Sequence, residues 1–344
     1  MKDIREASFE ELENFVVGCG EKKFRAKQIW DWLWKRGVAS FQDMTNISAG
    51  FRETLAGNFT FHAAKVADEV VSGDKSVKFV IELHDGKAVE GVLIPQGDRV
   101  TACVSTQVGC PLNCAFCATG TMGFVRNLHY SEIVDEYLLL DRRAESIYGR
   151  KITNIVYMGM GEPLINVENT VKSVEMLTSQ ESFGLSPSRI TISTAGVTNG
   201  IRTLADKDLR CGLAISLHSA NPVVRREIMP VSKRNSLADL REALAYYHKK
   251  TGDRITVEYL LLSGVNDTEE DAEQLARFCR AFPVKINIIE YNPTENSSFI
   301  KSSVQDRERF INVLKRCNMV VNVRFSKGRD ISAACGQLVK KRKD

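Results

Sequence analysis

Four cysteines fall within one short stretch, "CVSTQVGCPLNCAFC" (103–117): Cys103, Cys110, Cys114 and Cys117. Thiolates select soft metals, zinc and iron–sulfur clusters among them. Zinc cysteines usually come as two Cys-x2-Cys pairs, whereas here six residues separate Cys103 from a Cys-x3-Cys-x2-Cys group. Three ligands on a four-iron cluster would leave one iron without a protein ligand, able to chelate a cofactor and pass it an electron. Cys103 taken alone reads equally as a buried strand thiol, since free cysteine packs as a small hydrophobe. Nine cysteines, an odd number, argue against a static disulfide framework. Cys335 sits in "AACGQL" between small residues and glycine, on a segment that reads as a mobile loop. Cys19, Cys211, Cys279 and Cys317 fall in helix or strand patterns and read as packing residues.

The elements that would position these residues change character along the chain. Residues 1 to about 62 read as helices: "SFEELENFVVGC", "RAKQIWDWLWKRG" and "SAGFRETLAGNF". An extended stretch follows at 76–95, with "HDGK" as a hairpin signal. From about residue 100, β-branched runs alternate with helical ones: "TACVST", "TNIVYMGM", "RITIST", "GLAISLH", "RITVEYLLL", "VKINIIEY" and "VVNVRF". Such alternation means right-handed βαβ units on a parallel sheet, open or curled into a barrel, with the site at the carboxyl ends of the strands. Polar and glycine residues do follow the strands: "GMGEP", "STAG", "SLHSAN" and "EYNP". The expected division is a helical annex over 1–75, a β extension over 76–95, a core over 96–338 and a basic tail over 339–344.

The charge balance of +4 does not by itself demand a polyanionic partner. Its distribution is more informative: Lys22, Lys23, Arg25, Lys27, Lys35 and Arg36 interleave with aromatics against Asp31 alone. That pattern fits a nucleic-acid footprint or, equally, a solvated helix face. Trp30 and Trp34, with Ile29 and Leu33, have the spacing of a buried helix face. No apolar run reaches the roughly 18–20 residues of a membrane span, and the start has no signal core, so a cytoplasmic protein is expected.

The Cys110, Cys114, Cys117 spacing, with Phe116 before the last cysteine, resembles the radical S-adenosylmethionine (SAM) superfamily. "CVSTQVGCPLNCAFCATGTMGF", "YMGMGEPL", "ISTAG", "SLHSAN", "LLSGVNDT", "YNP" and "AACGQL" together resemble the RlmN/Cfr family of RNA adenosine methyltransferases, and its RlmN branch more closely. The resemblance covers nearly the whole chain. It implies a partial TIM-like (β/α)6 barrel, an α/β fold, with a small helical N-terminal accessory domain that binds RNA. It implies one 4Fe–4S cluster on Cys110, Cys114 and Cys117, and SAM held by Gly161, Glu162, Ser193, Ser216, Leu217, His218 and Asn292. Carbon 2 of adenine is electron-poor and will not attack the methyl of SAM directly. The family's route uses an S-methylcysteine carrier, Cys335 here, with a resolving thiol, Cys103, that forms a transient disulfide with it. Glu90 matches a family proton acceptor, although Cys103 could serve as the base. The implied partners are 23S ribosomal RNA, transfer RNA and an electron donor such as flavodoxin; the chain is expected to be a monomer. A Cfr-like enzyme acting at carbon 8 and a non-catalytic iron–sulfur RNA-binding protein are the competing expectations.

Overall fold

The computed structural model describes residues 1–294 and 297–338, so the expected basic tail lies outside the described residues. Ten strands form one sheet: β1 Lys65–Val71, β2 Val77–Glu82, β3 Ala88–Gln96, β4 Arg99–Cys103, β5 Asn154–Tyr157, β6 Ile190–Thr194, β7 Gly212–Ser216, β8 Ile255–Leu261, β9 Val284–Glu290 and β10 Val321–Arg324. Their order in the sheet is their order in the chain. β1 to β4 are antiparallel, and β4 to β10 are parallel neighbours. Right-handed crossovers that always step the same way put every connecting helix on one face. The sheet curls around the other, and side chains from β5 to β10 meet over a common cavity.

The first three helices are α1 Phe9–Gly18, α2 Phe24–Trp34 and α3 Ala49–Asn58. Ser8 and Glu11 make a reciprocal capping box that starts α1, and Ser48 caps α3. The sheet is crossed by α4 Ala118–Thr121, α5 Tyr130–Tyr148, α6 Val167–Thr178, α7 Thr198–Ala205, α8 Pro222–Ile228, α9 Leu237–Thr251, α10 Glu269–Cys279 and α11 Val304–Arg316. Thr268 caps α10, the place where "NDT" before acidic residues predicts a start.

Two expectations are corrected here. Residues 65–71, placed inside the helical annex, form strand β1. It is an edge strand with most of its side chains in water, so it lacks the apolar alternation that marks a half-buried strand. Cys19, expected to pack, is exposed at the end of α1; Cys211 and Cys279 are buried.

The annex is built on its tryptophans. Ile29, Leu33, Trp32 and Trp34 are buried, while Trp30 is half-buried against Phe9, their rings edge to face at 5.5 Å. Four of the six basic residues around them pair with carboxylates: Lys23 with Glu13, Arg25 with Glu21, and both Lys27 and Lys35 with Asp31. Arg36 stacks over Trp32 at 4.2 Å. Four of the six cations thus share three carboxylates of the annex, which neutralise the face only in part.

The annex meets the barrel through α5. Trp34 stacks on Tyr130, and buried Arg5 bonds Asp3, 2.9 Å away, and Asp135. Breaking a buried ion pair from one side leaves an uncompensated charge, at a cost of about 3–5 kcal/mol. Arg5→Ala should therefore lose about 3–5 kcal/mol in urea unfolding. All three tryptophans lie in α2, so their fluorescence reports the annex directly. A loss under about 1 kcal/mol, the range of exposed pairs, would show the pairing to be incidental.

Candidate active site

The polypeptide leaves β4 at Cys103 and forms a loop whose base is a short antiparallel pair, Gln107–Gly109 with Phe124–Asn127. Gly109, at φ +76°, is needed there, because a Cβ would lie 1.9 Å from the Gly123 carbonyl oxygen. Backbone bonds from Cys110 to Gly123 (2.9 Å), Ala115 to Ile228 (3.0 Å) and Cys117 to Cys114 (3.1 Å) set the loop's course. Cys110, Cys114 and Cys117 all line one cavity. Burial pushes the Cys110 thiol up to about 12, and Cys114 rises well above an ordinary thiol for the same reason. Among the described residues no three His, Cys, Asp or Glu side chains converge as around a single ion. Three thiols spread around one cavity fit a polynuclear cluster, whose ligands sit on different irons, better than mononuclear zinc.

The remaining walls come from the strand ends. Gly161, Glu162, Ser193, Ser216 and His218 line this cavity; Leu217 and Asn292 do not. Leu217 is buried, its carbonyl taken by Arg225 Nε at 3.0 Å. Asn292 turns toward the Cys335 segment, donating to Ser326 Oγ (2.9 Å) and the Cys335 carbonyl (3.4 Å). Gly161 adopts φ +100°, and a Cβ there would meet Gln107 at 2.6 Å, so the glycine is required by the fold itself. The Glu162 carboxylate accepts from the Ala195 N–H (2.7 Å) and the Leu164 N–H (3.1 Å), tying the loop after β5 to that after β6. Burial holds its pKa above the usual carboxylate range. His218 is neutral: burial, with Arg225 nearby, lowers it to about 3. Its Nδ1 accepts the Leu260 N–H at 3.1 Å, so Nε2 carries the proton. Its ring meets Phe116 edge to face at 4.9 Å.

A second cavity adjoins the first. Cys103 lines it, and Cys335 lines both, as do Met158, Ile289, Arg324 and Leu338. The two thiols, far apart in sequence, are thus neighbours. Both are free, and the expected disulfide is absent among the described residues. Burial raises Cys103, with negative charge at Cys335 and Glu136 adding to the rise and Arg324 opposing it; Cys335, by contrast, is exposed. Glu90 lies on β3, one strand from Cys103, paired with Lys78 at 3.3 Å, and lines neither cavity.

Two residues missed in sequence complete the site. Glu258 on β8 accepts from Asn287 Nδ2 (2.9 Å) and Arg324 Nη1 (3.2 Å) through Oε1, while its buried Oε2 has no hydrogen-bond partner among the described residues. Such an atom in a polar cavity wall is a ready acceptor for a bound group. A lone glutamate within the apolar run "ITVEYLL", and an arginine closing "VNVR", were the available signals. Three thiols, a wall of strand-end hydroxyls and an unpaired carboxylate oxygen fit the cluster and SAM.

Cys335 is held from both sides. Before it, Asp330 accepts from Ser72 Oγ (2.5 Å) and the Gly73 N–H (2.9 Å), Asp74 accepts the Gly328 N–H (3.0 Å), and Lys78 reaches the Ser332 carbonyl (3.4 Å). After it, the Ala118 N–H donates to the Gly336 carbonyl (2.7 Å) and Thr119 Oγ1 to that of Leu338 (2.6 Å). The turn between β1 and β2 and the helix after Cys117 thus grip one short segment.

The class defined by this fold and site is the radical SAM one. The Radical SAM superfamily model matches residues 104–279, and the Ribosomal RNA large subunit methyltransferase N-terminal domain matches 2–60. The chain is 48% identical to "Probable dual-specificity RNA methyltransferase RlmN" of Cytophaga hutchinsonii, over 98% of this chain and 92% of that one. It is 46% identical to the protein of that name in Flavobacterium psychrophilum, over 99% and 98%. A radical SAM methyltransferase from Sphaerobacter thermophilus superposes with a TM-score of 0.93 at 38% identity, covering 98% and 99% of the two chains. This chain belongs to the RlmN family of radical SAM RNA methyltransferases. No helix among the described residues is long and apolar enough to cross a membrane.

The grip on Cys335 is testable in the protein without RNA. Asp330→Ala removes two bonds to the β1–β2 turn, and the Cys335 segment should open more often. Amide hydrogen exchange over residues 328–336, mapped by mass spectrometry, should be roughly tenfold faster, the effect of losing about 1–1.5 kcal/mol of local stability. Cys335 is already exposed, so labelling of its thiol would not report the opening. Exchange in β7 should not change. Equal acceleration at both would mean global unfolding instead of a local grip.

Proposed function

We propose that this protein methylates carbon 2 of adenosine in 23S ribosomal RNA and in transfer RNA. The observation that carries the reading is that Cys335 borders both the cavity of the three-cysteine loop and the cavity that holds Cys103. A carbon carried on one thiol and released by another needs this adjacency. Membership of the RlmN family supports the choice of carbon 2.

Cys110, Cys114 and Cys117 hold the 4Fe–4S cluster, and Gly161, Glu162, Ser193, Ser216 and His218 surround SAM. When bound, these groups supply a methyl donor and a hydrogen-abstracting 5′-deoxyadenosyl radical. Cys335 carries the transferred carbon on its sulfur to the electron-poor ring position. Arg324 favours the thiolate that accepts it, and Glu258 fixes Arg324 through the 3.2 Å bond. Once protein and RNA are joined, a proton leaves carbon 2, taken by Cys103 or by Glu90. Cys103 then attacks the Cys335 sulfur as its bond to the transferred carbon breaks, and the disulfide forms. Of the two protons from carbon 2 and the Cys103 thiol, one completes the methyl group and the other is released, and the single electron that began the sequence is given back. Cys103 touches the Cys335 cavity while Glu90 is engaged with Lys78, which favours Cys103 as the base. An electron carrier such as flavodoxin serves the cluster, and the chain works as a cytoplasmic monomer.

Nucleosides from RNA treated with the reduced, reconstituted protein and SAM should contain 2-methyladenosine. 8-methyladenosine in its place would overturn the carbon assignment, and no 5′-deoxyadenosine would overturn the enzyme. Cys335→Ala should abolish turnover. Cys103→Ala should accumulate a covalent protein–RNA adduct that survives denaturing electrophoresis and disappears in the Cys103→Ala, Cys335→Ala double variant.

A further inference from the structure

The two cavities share Arg324 but differ in their other charges. The first is lined by two carboxylates, Glu162 and Glu258. Among the described residues the second has no carboxylate in its lining, and Lys327 joins Arg324 there. Ile94, Val156, Met158 and Ile289 line it beside the polar Gln96, Thr101 and Ser326, together with Phe325, which is 65% exposed. A slot of mixed polar and apolar surface with an exposed aromatic ring and two cations complements a nucleotide, which presents a flat base and an anionic phosphate.

Phe325 also stands where such a ring would be useful. It follows Arg324, the last residue of β10, so it sits at the carboxyl edge of the sheet beside the two thiols. A base drawn between Cys103 and Cys335 must leave its stack, at a cost of a few kcal/mol, and its neighbour in the RNA then loses a stacking partner. Lys327, two residues on, lines the same cavity. We infer that Phe325 stacks on the base adjacent to the target adenosine and that Lys327 pairs with the phosphate between them. The inference rests on the RNA-methylating reading above and adds a contact to it: the ring replaces the stacking that the flanking base loses, and the site recognises unpaired RNA whatever the flanking base.

The test uses reduced, cluster-loaded protein with SAM and a fluorescent RNA stem-loop bearing an unpaired adenosine. Phe325→Ala should raise the Kd roughly tenfold, the size of one base–aromatic stack. Phe325→Trp should bind as tightly as the parent or tighter. The decisive arm repeats the titration with an abasic nucleotide on each side of the target in turn. On one of these RNAs Phe325→Ala should have no further effect. Lys327→Gln should lower the slope of log Kd against log salt by about one. Loss of affinity for all RNAs alike, or for none, would overturn the stacking role, the latter leaving the exposed ring to a protein contact. Methylation by the unaltered protein, measured in parallel, separates the outcomes: if it occurs while Phe325→Ala binds normally, only this inference fails.

Discussion

Burial of sulfur is the constraint around which the molecule is arranged. Cys103, Cys110 and Cys114 have thiols raised by desolvation, so in the bare protein each resists becoming the thiolate that ligates or reacts, while Cys335 is exposed. Positive charge has been placed against this. Arg324 acts on Cys103 and Cys335 together, and Arg225 acts on Cys114. Arg225 is itself fully buried with no carboxylate partner among the described residues, its guanidinium bonding the Leu217 and Ala195 carbonyls and the Ser232 hydroxyl. Its ionisation is lowered to about 10 by burial, and the neighbouring Cys114 resists that fall. A cation kept in such a place is compensated once the thiols around it are ionised.

The second requirement is that a thiol near the end of the chain be presented at the centre of the sheet. The Cys335 segment has little regular structure of its own, and several neighbours supply what it lacks. The β1–β2 turn grips Asp330 and Gly328, Glu290 at the end of β9 pairs with Arg329 at 2.5 Å, and Thr119 takes the Leu338 carbonyl. The antiparallel strands ahead of the barrel therefore reach the site through their turn. Lys78 makes the link explicit, touching both Glu90 and the Ser332 carbonyl.

Much of this was legible before any coordinates. The seven β-branched runs became β4 to β10, because parallel strands buried on both faces advertise themselves as short apolar stretches. The cluster cysteines were legible because their spacing is local. Helical periodicity alone placed Ile29, Leu33 and Trp34 in a core, where they are buried; Trp30, expected with them, is half-buried, and Trp32, which the periodicity did not single out, is buried. Strand β1 was not legible, since an exposed edge strand carries no apolar alternation. Leu217 and Asn292, grouped with the SAM-binding residues, are not in the lining of the first cavity; Leu217 is buried and Asn292 bonds the Cys335 segment.

The sequence alone determined what depends on near neighbours: the helices and strands, the loop of Cys110, Cys114 and Cys117, and the membership of a family whose motifs run along the whole chain. The tertiary structure decided everything that depends on strand order. It made Cys103 and Cys335 share a cavity, set Glu258 and Arg324 near them, and put Glu162 and Glu258 in the lining of one cavity and Lys327 in that of the other. The reason is physical. Hydrogen-bond ladders and helical turns are short-range and write their period into the sequence. The meeting of residues 103, 258, 324 and 335 is fixed by how far the sheet curls, and no local pattern records that.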